Sequence, residues 1–102
     1  MTRIKLAYSD ANGISGTIAF EGTWLLREVR EDAPGRDIGT RYSVALTASG
    51  QYLVFMETPE HGSGYTVYCS FQEMIDKHAV PPGIACTLNE QMGYVEFLDI
   101  LS

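Results

Sequence analysis

The chain has 102 residues, 45% of them hydrophobic and 20% charged, with a formal net charge of −6. This is the composition of one folded domain, residues 1–102, and it excludes a disordered polyelectrolyte, which would carry fewer apolar side chains. The charge is uneven: six basic residues balance six acidic ones through Tyr42, but beyond it only Lys77 opposes seven carboxylates, which argues against direct binding of nucleic acid through phosphates.

Strand signals dominate the chain. "TRIKLAY" alternates Ile4, Leu6 and Tyr8 with Arg3, Lys5 and Ala7, the period of a strand with one buried face. Asn12-Gly13 marks a tight turn, and "SGTIAFEG" follows with Ile18 and Phe20 on one face. These two segments should pair antiparallel. "TWLLREVRE" suits a helix face through Leu25, Leu26 and Val29, but Trp24, Val29 and the flanking Gly22 favour a separate third strand. "EDAPGRDIG" has no apolar period and reads as an exposed, mobile loop.

"TRYSVALTASGQYLVFMET" is a second hairpin: Tyr42, Val44 and Leu46 share a face, and Ala48-Ser49-Gly50 supplies the turn. "PEHGSG" breaks that strand and "YTVYCS" resumes the alternation. The period then changes. In "SFQEMIDKHAV" Ser70 and Glu73 form a capping box, and Phe71, Met74, Ile75 and His78 fall on one helical face, with His78 favoured at the helix C-terminus by the dipole. "PPGIACTLNEQMG" predicts a second helix, opened by Pro82 and stopped by Gly93, with Ile84, Cys86 or Leu88, and Met92 apolar.

The chain closes on "GYVEFLDILS". As a strand, this segment sends Glu96 and Asp99 to opposite faces, so they cannot act as an acid/base pair. The fold expected is therefore α+β: a twisted antiparallel sheet of about six to seven strands with two short helices before the C-terminal strand.

The stretch "EFLDI", Glu96 to Ile100, matches the E-x-L-D-I signature of the bacterial EXLDI proteins, and "FEG" with "YSVALTASGQYLVF" upstream extends the likeness. The chain resembles that family over most of its length. The resemblance implies a small bacterial protein; it carries no catalytic role onto Glu96 or Asp99.

Side chains for chemistry are sparse. Cys69 and Cys86 form no C-x-x-C pair. No apolar stretch suits a signal peptide or a membrane span, so a cytoplasmic location is expected, with both cysteines as small buried hydrophobes. Glu57, Glu60 and His61 could gather two carboxylates and an imidazole, but no second histidine sits at ligand spacing. "GSG" lacks the rest of a phosphate-binding loop, and no serine lies in a nucleophile elbow. No cofactor or metal is implied, and the chain is not read as an enzyme.

The expected function is that of a non-catalytic binding protein whose acidic surface engages a protein partner with a basic surface, for example an inhibitor of a nucleic-acid-binding machine, as small acidic phage or mobile-element proteins can be. An antitoxin-like regulatory partner is the alternative, and a small enzyme using His61 the third reading. The expected partner-binding set is Glu57, Glu60, Glu73, Asp76 and Glu90 converging on one surface, with Tyr65 or Tyr68 as the desolvated anchor. The bland alternative is that the acidity serves solubility alone. "YTVYCS" has no Lys or Pro to guard an edge, which suggests a homodimer.

Overall fold

A computed structural model of the chain describes residues 2–31, 39–59 and 61–91. Alternating side chains produce five strands among these residues, β1 (Thr2–Ser9), β2 (Ser15–Arg30), β3 (Arg41–Thr47), β4 (Tyr52–Thr58) and β5 (Gly62–Tyr68), followed by α1 (Phe71–Asp76) and α2 (Pro82–Gln91). The strands form one antiparallel sheet in chain order, so the class is α+β. The expected closing strand lies outside the described residues, as does the loop at 32–38. No helix among the described residues is long and apolar enough to cross a membrane.

Two hairpins are closed by one device used twice, in "DANGI" (residues 10–14) and "TASGQ" (residues 47–51). The fourth residue of each is a left-handed glycine, Gly13 at φ 83° and Gly50 at φ 85°. Gly13 N–H donates to the Asp10 carbonyl at 3.2 Å and Gly50 N–H to the Thr47 carbonyl at 2.9 Å, the three-residue hairpin pattern in which a β-turn leads into a left-handed residue. The first side chain of each turn holds the loop. Asp10 Oδ1 accepts from the N–H groups of Asn12 and Ile14 at 2.9 and 3.0 Å, and Thr47 Oγ1 accepts from Gln51 N–H at 3.0 Å. Short polar side chains are suited to this local capture of backbone donors.

The sequence reading divided residues 15–30 into two strands, and the structure corrects it. Gly22 looks like a break, yet it is buried in the middle of β2, paired with Thr2 of β1 and with Thr47 of β3. The strand bends instead at two bulges, between Trp24 and Leu26 and between Leu26 and Val29. At the second, Glu28 takes φ 51° and its N–H donates to Ser43 Oγ at 2.9 Å. An extra residue at a bulge increases the local twist and bends the strand, which gives β2 the length to serve β1 with its first half and β3 with its second.

Register assigns the faces. Ile4, Leu6 and Tyr8 of β1 lie opposite Phe20, Ile18 and Gly16, while Ala45, Leu53 and Val67 align across β3, β4 and β5, as do Ser43, Phe55 and Tyr65. These residues line the inner face of a curled sheet. The curl is fixed where the end of β1 meets the start of β5: Asp10 bridges Gly62, Ser9 N–H donates to Ser63 Oγ at 3.0 Å, and the rings of Tyr8 and Tyr65 meet edge to face at 5.4 Å.

The other face carries the helices. Tyr42 and Val44 of β3 and Tyr52 and Val54 of β4 are buried under Met74, Ala79, Val80, Ile84 and Leu88. α2 begins at Pro82, as expected, and is held at both ends: the Glu31 carboxylate accepts from Gly83 N–H at 2.9 Å, and Gln91 Nε2 donates to the Leu25 carbonyl at 2.7 Å. A carboxylate at the helix start satisfies an orphan donor and complements the dipole.

α1 starts as its capping box predicts. Ser70 Oγ accepts from Glu73 N–H at 3.1 Å, and the Glu73 carboxylate reaches back to Cys69 N–H at 3.1 Å, one residue further than the usual partner. Ser70→Ala should lower stability by about 1 kcal/mol, measurable as a reduced urea midpoint at constant slope. The end of α1 differs from expectation. His78 N–H donates to Ile75 O and Ala79 N–H to Met74 O, and His78 sits at φ 53°, a Schellman stop with a histidine in glycine's usual place. His78 is exposed, off the buried face that Phe71, Met74 and Ile75 make.

Candidate functional site

Those of the expected partner-binding residues that are described fall on two sides of the molecule. Tyr65 and Tyr68 are three apart in β5, so they project to opposite faces: Tyr65 aligns with Phe55 on the inner face, while Tyr68 aligns with Tyr52 and packs against the helix-side core. Glu57 aligns with Arg41 and Ser63 on the inner-face rows. Glu60 lies outside the described residues. Glu73 and Asp76 of α1 and Glu90 of α2 belong to the helical layer, so among the described residues the helical carboxylates stand apart from Glu57.

Within the helical group the bonds are local. Asp76 Oδ1 accepts from Gln72 Nε2 at 2.8 Å, Glu90 Oε1 accepts from the Cys86 thiol at 4.0 Å, and Glu73 is committed to the start of α1. Among the described residues none of the three forms an ion pair; the pairs drawn are Arg3 with Glu21 at 3.3 Å and Arg41 with Glu28 at 4.0 Å, both within the sheet. Asp76 and Glu90 are exposed.

Three cations are gathered elsewhere. Arg3, Lys5 and Arg27 line a notch of about 410 Å³ where β1 begins beside β2, with Trp24 as its aromatic wall. The Arg27 guanidinium stands 4.9 Å from the Trp24 ring centroid, within the range of a cation–π contact. The molecule therefore has a basic notch on β1–β2 and a helical layer in which Glu73, Asp76 and Glu90 outnumber Lys77, the residue that ends α1. Sequence reasoning saw the charge division along the chain but not this notch, because Trp24 is brought to Arg3 and Lys5 only by the pairing of Thr2 with Gly22.

A second concavity, about 370 Å³, opens on the inner face between Ile18 and Phe20 of β2, Leu53 of β4 and Tyr65 and Val67 of β5. Tyr65 and Val67 remain 40% and 41% exposed. Beyond Gly62 and Ser63, no strand among the described residues pairs with the outer edge of β5.

Both cysteines are exposed thiols, contrary to the expected burial. Cys69 lies just before the Ser70 cap, and Cys86 lies midway between the inward-facing Ile84 and Leu88 of α2, on the outer side. His61 is exposed beside Gly62, and among the described residues no three His, Cys, Asp or Glu side chains gather as a metal site would. The "EFLDI" stretch lies outside the described residues. No protein-family model, curated protein or solved structure matches the chain, so a functional reading stands on the geometry of these surfaces.

Proposed function

We propose that the chain is a non-catalytic protein-binding module that engages a partner with a basic surface through its helical layer. The observation supporting this is that Glu73, Asp76 and Glu90 make no ion pair among the described residues, while Arg3, Lys5 and Arg27 are held on β1–β2. Segregated charge orients an approaching polycation toward one side and raises its encounter rate. An inhibitor that draws a nucleic-acid-binding protein away from its phosphates would use such a surface, and so would an antitoxin-like regulator meeting a basic cognate protein.

Glu73 is left intact in the test because its carboxylate holds the start of α1. With poly-lysine as the probe, Asp76→Lys with Glu90→Lys should reduce the association rate about tenfold at low salt and flatten its salt dependence. Glu21→Lys with Glu57→Lys makes the same change in net charge on the sheet and should reduce it less. Equal losses in the two pairs would assign the effect to net charge and defeat the reading.

A further inference from the structure

The outer edge of β5 is divided. Its first two residues are occupied by the end of β1, through the Asp10–Gly62 bridge and the Ser9–Ser63 hydrogen bond. The five that follow, Gly64 to Tyr68, have no backbone pairing with a described strand on this side, and the Tyr8 ring meets them only through the side chain of Tyr65. The whole of β5, "GSGYTVY", contains no charged residue and no proline, so it lacks the side chains that usually keep edges from pairing.

We infer that this stretch is a homodimerisation edge, Gly64–Tyr68 pairing antiparallel with the same stretch of a second copy about a two-fold axis at Thr66. Thr66 is the midpoint of the available edge, and an isologous contact must be self-complementary about its axis. In that register Tyr65 of each copy lies opposite Val67 of the other. An aromatic side chain against a β-branched one, and threonine against threonine on the axis, are favourable cross-strand pairs. Tyr65 and Val67 are also the two inner-face residues of β5 left about 40% exposed, and they border the trough with Ile18, Phe20 and Leu53, so pairing covers apolar surface.

Charge selects the occupant. A chain of net charge −6 repels its own copies, and an uncharged edge is where two copies approach at least cost. A basic partner has no carboxylate on β5 to favour it there. The contact is smaller than the roughly 1,200–2,000 Å² of stable complexes, so the dimer is a weak one. It uses the sheet edge and not the helical carboxylates, so it stands independently of the proposed function.

Sedimentation velocity of the full chain from about 10 to about 500 μM, the range suited to a small interface, should show a reversible shift from 11.3 kDa toward twice that mass. Val67→Lys should raise the dissociation constant at least about tenfold by placing a charge on the inner side of the edge, with circular dichroism unchanged. Thr66→Cys, with Cys69 and Cys86 replaced by Ser, should form an intermolecular disulfide under mild oxidation faster than Thr17→Cys in the same background, because directly opposed antiparallel residues lie about 4.5–5.5 Å apart. Monomer at every concentration, or a dimer indifferent to Val67→Lys with no preferential cross-link at Thr66→Cys, would overturn the inference.

Discussion

Leu88→Ala is expected to cost about 2–5 kcal/mol. Leu88 is fully buried, in the cluster with Tyr42, Val44, Met74 and Ile84. Removing it forfeits both the transfer energy of the side chain and the contacts of the atoms around the void. Neighbours have little room to collapse into it, because α2 is fixed at both ends, by the Gln91–Leu25 hydrogen bond to β2 and the Glu31–Gly83 hydrogen bond to the residue that follows β2. Since a domain of this size is stable by only about 5–15 kcal/mol, the variant should show a much lower urea midpoint. Cys86→Ser on the outer side of the same helix should change the midpoint little, and a comparable loss there would show that α2 is packed differently.

Gly62→Ala is expected to open the curl of the sheet and to cost about 2 kcal/mol or more. Gly62 has φ 82°, a left-handed conformation that strains any residue with a side chain. A Cβ at this position would also overlap the Ser9 carbonyl oxygen and come within 3.0 Å of the Asp10 Cα, both backbone atoms that cannot rotate away. The joint between β1 and β5 must therefore part. Hydrogen exchange should accelerate at Ser9 and Asp10 while the β3–β4 ladder stays protected, and the near-ultraviolet signal of the Tyr8–Tyr65 pair should weaken. Ser63→Ala, which removes only the hydrogen bond to Ser9, should cost about 1 kcal/mol. Unchanged protection of β1 in Gly62→Ala would mean that the joint does not hold the curl.

What the sequence made legible was local. Alternation and the glycines of "DANGI" and "TASGQ" marked both hairpins, and Ser70 with Glu73 marked the start of α1. The continuity of β2 was hidden because Gly22 has the propensity of a break, and only its two neighbouring strands make it the centre of a ladder. The stop at His78 was hidden because a histidine there carries no signal for a left-handed residue. At the candidate site, the separation of Tyr65 from Tyr68 was available from their odd spacing, by the alternation of side chains along a strand. The cationic notch and the closure at Gly62 join residues remote in sequence, so no local pattern announces them.

The joint at Gly62 also bears on the order of assembly. Hairpins that close over a few residues form within microseconds, and both "DANGI" and "TASGQ" sit in such hairpins. Pairing Asp10 with Gly62 closes a loop spanning three intervening strands, so its entropic cost is met only after those strands have aligned. A contact made that late is largely absent from the folding transition state. Weakening it leaves the rate of folding nearly untouched and shortens the lifetime of the native state: the clasp that gives the sheet its shape acts chiefly as a brake on unfolding.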